Sequence, residues 1–344
     1  MLRKNENFVI PPRVTDDRPT CRNPVIPDFA DPSVSYDPET GYYYACRSRF
    51  HPHGVNVCRG RTLSALFDEQ ITVFTTDGEK NGLYNGVWAS ELHKIDGLWY
   101  IYAAASCHPT KDYADRKMRT FVLKSRTSDP FDGFDFAGLL SETESAIDCT
   151  VWQDKAHGRL FCCFSRCMDV DRGELVIQEM ESPTKLKGEP VLLARASYPW
   201  ELVEPYVGCQ RILEGAYFLE NAGRTFIVYS ANGCWIDQYC LGILELMTDE
   251  PLNISAWVKD DVPLFSYGNG VFAPGHASFF KSPDGKETWI AYHAVTEHNP
   301  NDSPLPRHMC AQRVYFDETG FPHIGKPLPF GEEYPLPSGD TGVK

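Results

Sequence analysis

Four carboxylic acids and one histidine occupy matching places along the sequence: Asp31, Glu91, Asp148, Glu214 and His276. Each opens a segment with the same order: a polar residue, an apolar run, a turn containing glycine, and an aromatic run that ends in small residues. Successive segments begin about 60 residues apart. Carboxylates that share a small space repel, so one of them keeps its proton at a pH where an isolated acid has lost it. Such a cluster can both donate and accept protons, which is general acid–base chemistry.

The elements that must position these residues have the composition of β-hairpins. Short runs rich in Val, Ile, Tyr, Phe and Trp alternate with turn signals such as Asp-Gly and Asn-Gly. A hairpin is not stable alone, whereas four-stranded sheets stacked around an axis cover one another's faces. The sequence therefore predicts an all-β fold. We expect one five-bladed β-propeller over residues 1–344, with blade-opening segments near residues 31, 91, 148, 214 and 276.

Equivalent positions of a propeller lie on one ring, so the five residues are expected to converge at one mouth of the central channel. The structural alternative is that one or two of the acids only cap their hairpins through backbone N–H groups. Glycoside hydrolysis needs one carboxyl group to protonate the leaving oxygen and a second to activate water or to attack carbon. A third carboxylate can keep the acid protonated near neutrality. Asp31 and Glu214 would come from non-adjacent blades, which favours the inverting separation of roughly 6.5–9.5 Å.

Six short blocks resemble, in the same order, the sequence blocks of glycoside hydrolase family 43. They are residues 23–33 (NPVIPDFADPS), 88–92 (WASEL), 146–148 (AID), 213–216 (LEGA), 273–276 (APGH), and Arg307 ahead of residues 311–322 (AQRVYFDETGFP). Together they cover about residues 23–330.

The resemblance implies a five-bladed propeller and an inverting mechanism. It implies that Asp31 is the general base, that Glu214 is the general acid, and that Asp148 orients Glu214 and raises its pKa. It also implies a histidine, here His276, near a central cation that is often calcium. Because a neutral imidazole is a poor direct calcium ligand, a contact through water or a purely structural role is expected. The chemistry itself requires no cofactor, and a structural Ca²⁺ in the channel is left open.

The sugar is the less specific part of the resemblance. Residues 190–193 (PVLL), residues 198–201 (YPWE) and the region of Arg307 are most similar to enzymes that release terminal α-L-arabinofuranosyl units from arabinan or arabinoxylan oligosaccharides. A β-D-xylosidase or a galactofuranosidase of the same family is the alternative. The alternative of another class is a non-catalytic sugar-binding propeller, which the presence of all three acids disfavours.

Five residues are candidates for contact with the sugar. Trp88 and Phe50 could stack on a sugar face, although packing between blades is the favoured explanation for both. Glu91 and His276 belong to the same ring, and Arg307 could hold sugar hydroxyls or keep Asp148 ionised.

Neighbouring signals are weaker. Arg49 and His293 follow their hairpins and are expected to be structural, and the cysteines at 162, 163 and 167 lack the paired spacing of a metal site.

The overall charge narrows the classes of partner. A formal net charge of −14 argues against nucleic acid and anionic membranes, which are bound through basic clusters. The expected partner is an oligosaccharide, and the oligomeric state is left open.

The first residues lack the pattern of a secretory signal, and many of the twelve cysteines lie in apolar runs. These features predict reduced thiols in a cytoplasmic protein.

Overall fold

The computed structural model describes residues 2–12, 17–50, 53–110, 117–169, 172–203, 211–299 and 305–343, without the side chains of residues 49–50 and 168–169. The regular structure of these residues is almost entirely β, so the all-β prediction is confirmed. Four short 3-10 helices interrupt the strands, at Leu63–Ala65, Pro130–Asp132, Pro199–Glu201 and Ile254–Ala256. Within the described ranges, no helix is long and apolar enough to cross a membrane.

The strands follow one another along the chain in groups of four. After β1 (Thr20–Arg22), the first sheet contains β2 (Ser33–Asp37), β3 (Tyr42–Phe50), β4 (His53–Gly60) and β5 (Glu69–Thr75). The second contains β6 (Asn85–Ile95), β7 (Leu98–Ser106), β8 (Met118–Ser125) and β9 (Phe134–Leu139). Neighbouring strands within each sheet are antiparallel, as hairpins with short turns require.

The next eight strands form two antiparallel groups that a short parallel pairing joins. The first group is β10 (Ala146–Asp154), β11 (Arg159–Asp169), β12 (Arg172–Ser182) and β13 (Lys185–Ala194). The second group is β14 (Arg211–Asn221), β15 (Arg224–Ala231), β16 (Cys240–Leu246) and β17 (Trp257–Lys259). The parallel pairing joins β12 to β14 through two residue pairs.

The final sheet contains β18 (Phe272–Lys281), β19 (Thr288–Val295), β20 (His308–Phe316) and β21 (Pro322–His323). The last strand, β22 (Glu333–Pro335), pairs with β1, so the two ends of the described chain meet.

Hydroxyl side chains link each group of strands to the next. The links are Leu92 N–H to Ser33 Oγ (3.0 Å), Thr120 Oγ1 to the Ala146 carbonyl (3.3 Å), Ser165 Oγ to the Leu213 carbonyl (2.7 Å), His276 N–H to Ser230 Oγ (2.8 Å), and Ser278 Oγ to the Pro32 carbonyl (2.8 Å). The last of these returns from β18 to the residues just before β2. The order of the links is therefore cyclic.

Apolar clusters fill the spaces between the same consecutive groups. Val34 and Ala45 of the first sheet pack in one cluster with Phe280, Trp289 and Met309 of the last sheet. Further clusters join the remaining neighbours in chain order. Burial of apolar surface between neighbouring groups is the main stabilising term, and it holds the groups of strands together in this order.

Candidate active site

The inner strands bulge where their polar residues lie. Pairing registers shift between Trp88 and Glu91 in β6 and between Glu214 and Tyr217 in β14, and similar shifts occur in β10 and β18. Such bulges re-aim side chains.

The backbone is strained at the same places. Asp31, Asp148 and His276 adopt the left-handed region, with φ of 53°, 54° and 47°. For residues with a side chain this conformation costs on the order of 1–3 kcal/mol and persists only where the surrounding structure imposes it. Gly215, next to Glu214, also has a positive φ, and a Cβ there would lie 3.0 Å from Cγ of His276.

The structure brings four carboxylates and the imidazole of His276 within electrostatic range of one another. Burial lowers the pKa of His276, but the charges of Asp31, Asp148, Glu214 and Glu91 outweigh burial and raise it above its ordinary value. The acids therefore favour the protonated imidazole, whose positive charge offsets part of the repulsion among them.

Asp31 is held as a carboxylate. Nη1 of Arg307 donates to its Oδ1 at 2.8 Å, Nδ1 of His293 lies 3.0 Å from the same oxygen, and Nδ1 of His276 lies 3.4 Å away. Burial disfavours this charge most strongly, yet Arg307 and the two histidines together hold the pKa of Asp31 well below its usual range. All three contacts converge on Oδ1.

The pKa values of Asp148 and Glu214 are raised, whereas that of Asp31 is lowered. Burial, followed by the charge of Asp148, raises the pKa of Glu214 to about 7 against the opposing effects of His276 and the Tyr239 hydroxyl. Burial also raises the pKa of Asp148 to about 6, although His276 opposes this shift and the backbone N–H of Gly215 donates to Oδ2 of Asp148 at 3.1 Å. One proton therefore stays on the pair close to neutral pH.

Two residues beside the acids were not predicted as site residues. The hydroxyl of Tyr239 donates to Oε1 of Glu214 at 2.8 Å. His293, expected to be structural, is fully buried against Asp31, and burial followed by the charge of Arg307 lowers its pKa to about 4. Arg307 itself contacts Asp31, whereas the sequence left open a contact with Asp148.

The other predicted residues have different surroundings. Glu91 is buried, and its Oε2 lies 2.8 Å from Nε2 of His93. Trp88 is half-buried on β6, with its indole against Gly86. Phe50 ends β3, and its side chain lies outside the described part of the structure.

A directly bound calcium ion does not fit these residues. Calcium requires six to eight oxygen ligands. Oδ1 of Asp31 is bonded to Arg307, Oε2 of Glu91 contacts His93, and His276 offers nitrogen rather than oxygen. In the described ranges, no group of three or more His, Cys, Asp or Glu side chains could hold a metal ion.

Comparison with known protein families shows which family this chain belongs to. Residues 21–322 match the family model described as Glycosyl hydrolases family 43. The chain belongs to glycosyl hydrolase family 43. The match spans most of the chain and includes Asp31, Glu91, Asp148, Glu214 and His276.

Relatives within family 43 are similar over most of this chain. An "Extracellular exo-alpha-(1->5)-L-arabinofuranosidase" of Streptomyces avermitilis is 29% identical over 91% of this chain, and its counterpart from Streptomyces chartreusis is 30% identical over 79%. This chain spans 64% of the length of the first relative and 81% of the second. The crystal structure of an α-L-arabinofuranosidase from Lactobacillus brevis has a TM-score of 0.80 at 27% identity, and the match covers 90% of this chain and 98% of that chain.

The predicted cytoplasmic location is wrong, because both Streptomyces relatives are named extracellular. The prediction relied in part on cysteines, and the structure shows why they are uninformative. The described cysteines are free and mostly buried. Burial raises the pKa of thiols such as Cys58 and Cys240 to about 12. The thiolate is the reactive form, so such residues are inert and do not report the redox state of a compartment.

Proposed function

We propose that this protein is an inverting glycoside hydrolase that releases terminal α-L-arabinofuranosyl residues from arabinan- or arabinoxylan-type oligosaccharides. The observation that carries the proposal is the contrast between two acids of one cluster: Asp31 accepts a hydrogen bond from Arg307 at 2.8 Å, whereas Glu214 lies beside the carboxylate of Asp148. The pKa of Asp31 lies well below its usual range, whereas that of Glu214 is raised to about 7. Titratable groups driven apart in this way are the pattern of a base and an acid.

We propose the following step for the reaction. Glu214, protonated near neutrality, gives its proton to the glycosidic oxygen as the bond from that oxygen to the anomeric carbon breaks. Asp31 takes a proton from a water molecule whose oxygen attacks the same carbon from the opposite face. Because Arg307, His293 and His276 all face Oδ1 of Asp31, Oδ2 is the oxygen that would receive this proton.

Asp148 would act through Glu214. Its charge is the second contribution, after burial, that raises the pKa of Glu214. Its Oδ2 accepts the N–H of Gly215, the residue directly after Glu214. This contact fixes the backbone from which the acid projects, so Asp148 both orients Glu214 and keeps it protonated.

The architecture that would hold these residues is one five-bladed propeller over residues 1–344. Support comes from the five successive groups of four strands, the cyclic order of the hydroxyl links and the apolar clusters between neighbouring groups. The proposed contacts with the sugar are Trp88, Phe50, Glu91, His276 and Arg307. Of these, Arg307 lies beside Asp31, where it could also reach a sugar hydroxyl.

The names of the relatives favour an arabinofuranoside over a xyloside, and they also favour a location outside the cell. The Lactobacillus brevis structure, at 27% identity, supports the same sugar. The match to a solved xylan β-1,4-xylosidase from Bacillus halodurans has an identity of 18% and therefore shows the fold alone.

Hydrolysis of 4-nitrophenyl α-L-arabinofuranoside and 4-nitrophenyl β-D-xylopyranoside by the same preparation tests the proposed sugar. We expect the arabinofuranoside to be the better substrate, and we expect Glu214→Ala and Asp31→Ala to lose turnover of it. Faster hydrolysis of the xyloside would contradict the proposed sugar and indicate a xylosidase instead. If neither substrate is hydrolysed, or if both variants keep full activity, the proposed function is wrong.

The stereochemistry has its own test. Proton NMR of the first-formed arabinose should show the anomer opposite to that of the substrate. A product with the substrate's configuration would contradict inversion.

A further inference from the structure

Tyr239 joins the two sides of the proposed site. Its hydroxyl donates to Oε1 of Glu214 at 2.8 Å. Its ring stacks on the ring of His293, with centroids 5.4 Å apart and planes only 3° from parallel. Nδ1 of His293 in turn lies 3.0 Å from Oδ1 of Asp31. Tyr239 and His293 are both fully buried, so neither ring has room to move away.

Tyr239 is the donor in its hydrogen bond with Glu214. Burial, together with the charge of Glu214, raises the pKa of Tyr239 well above its ordinary value, so the hydroxyl keeps its proton and donates it. Oε1 of Glu214 is then an acceptor in both protonation states. The proton that Glu214 gives to a substrate must therefore reside on Oε2.

We propose that Tyr239 is a positioning residue that directs the acidic proton of Glu214 to Oε2 and stabilises the carboxylate as that proton leaves. This inference rests on the proposed function. A hydrogen bond to a carboxylate is roughly twice as strong as one to a neutral carboxyl group. The contact from Tyr239 therefore strengthens while the proton moves to the leaving oxygen. An interaction that is stronger in the transition state than in the ground state increases kcat.

Close packing restricts the Tyr239 ring to a single orientation. A Cβ on Gly275 would lie 2.3 Å from Cε1 of the ring, so the backbone of β18 approaches the ring as closely as glycine permits.

The segment that carries Tyr239 is also tied down. Its neighbour Asp237 accepts the backbone N–H of Asn299 at 3.0 Å, contacts His298, and receives the N–H of Ala273 on its carbonyl at 3.1 Å. These bonds join the segment before β16 to β18 and to the residues after β19.

The test compares Tyr239→Phe with the parent on two arabinofuranosides, 4-nitrophenyl and methyl. Phenylalanine keeps the stacking on His293 and removes only the hydroxyl. Tyr102→Phe is the matched control, because its buried hydroxyl donates to the Pro183 carbonyl at 2.6 Å in a different apolar cluster. Thermal unfolding of both variants shows whether each is folded.

We expect kcat/KM of Tyr239→Phe to fall about 10- to 100-fold on the methyl glycoside and about 3-fold or less on the nitrophenyl glycoside. The difference arises because a nitrophenolate leaves with little help from an acid, whereas an alkoxide requires the proton. Tyr102→Phe should match the parent on both substrates.

The pH profile is the second readout. Asp148, His276 and Asp31 face Glu214 in the parent and in Tyr239→Phe. The two proteins therefore differ around Glu214 only in the Tyr239 hydroxyl. Without that donor the pKa of Glu214 rises, and the basic limb of kcat/KM moves to higher pH while the acidic limb stays in place.

Equal losses on the two glycosides, or an unchanged basic limb, would overturn the role of Tyr239 while leaving the proposed function intact. A parent protein that hydrolyses neither glycoside would instead contradict the proposed function itself.

Discussion

Nη1 of Arg307 donates to Oδ1 of Asp31 at 2.8 Å, across 276 residues of sequence. The two side chains are only 23% and 17% exposed, so water screens the pair weakly. This guanidinium is the main charge that overcomes the burial of Asp31 and keeps it ionised. The role proposed for Asp31 as a base therefore depends on Arg307.

Replacement of Arg307 by glutamine should raise the pKa of Asp31, since the leading opposing charge is lost. The base must be ionised to act, so the acidic limb of kcat/KM should move to higher pH. The measurement is kcat/KM on 4-nitrophenyl α-L-arabinofuranoside across the acidic range. Arg159→Gln is the matched control, because Arg159 pairs at 2.8 Å with the buried Asp154 outside the proposed site. Superimposable acidic limbs for parent and Arg307→Gln would contradict this dependence.

Asp148→Asn should move the basic limb in the opposite direction from Tyr239→Phe. The asparagine oxygen can still accept the N–H of Gly215, but the negative charge that raises the pKa of Glu214 is gone. Glu214 then loses its proton at lower pH, and kcat/KM at pH 7 should fall about 10- to 100-fold. Partial recovery at lower pH is the signature to look for. A uniform loss at every pH would argue that Asp148 acts by orientation alone.

Glu214→Gln should be inactive yet more stable than the parent at alkaline pH. The pKa of Glu214 is about 7 in the folded protein and near 4.3 in an unfolded chain, so folding favours the protonated form. Stability is therefore lost as the pH rises from about 4 through about 7. Because Glu214 keeps partial exposure, we expect the amide to add only about 1–2 kcal/mol to the free energy of unfolding at pH 8, and close to nothing at pH 4.

Urea unfolding at the two pH values measures this gain. Glu220→Gln, an exposed acid near the end of the same strand, should change stability at neither pH. A gain in Glu214→Gln that is equal at pH 4 and pH 8 would show that the charge of Glu214 is not its source.

Gly275→Ala should lower both stability and activity. The added Cβ would lie 2.3 Å from the Tyr239 ring, which is flanked by His293. Such overpacking costs about 1–3 kcal/mol, and a displaced ring would release Glu214. Gly268→Ala is the control, because its Cβ would meet only the flexible chain of Lys326. Unfolding temperatures and kcat/KM of the two variants check this; parent-like values for Gly275→Ala would contradict the tight fit.

The repeat made much of the site predictable. Aromatic runs and glycine turns are local signals, so the hairpins and the residues that open them could be identified from the sequence. Asp31, Asp148 and Glu214 lie within electrostatic range of His276, as the matching places of their segments predicted. The positive φ values and the bulges that aim these side chains inward have no such signal, since non-glycine residues rarely adopt that conformation.

His293 did have a signal that could have been used. In the third and fourth repeats, the matching position on the second strand is Ser165 or Ser230, a hydroxyl that links neighbouring groups of strands. In the fifth repeat His293 replaces that serine. A residue that breaks the repeat beside the predicted cluster of acids is a candidate for the site. Tyr239 had none, because it lies between β15 and β16, outside the repeated hairpin, and reaches Glu214 only through the three-dimensional fold.

The most direct measurement of the central claim is kcat/KM for 4-nitrophenyl α-L-arabinofuranoside in the parent, Asp31→Asn and Glu220→Gln. Asparagine preserves the shape of Asp31 and removes the ability to accept the water's proton. We expect Asp31→Asn to lose at least about 100-fold, as removal of a general base requires, and Glu220→Gln to match the parent. Asp31→Asn with parent-like kcat/KM would contradict the assignment of Asp31 as the base.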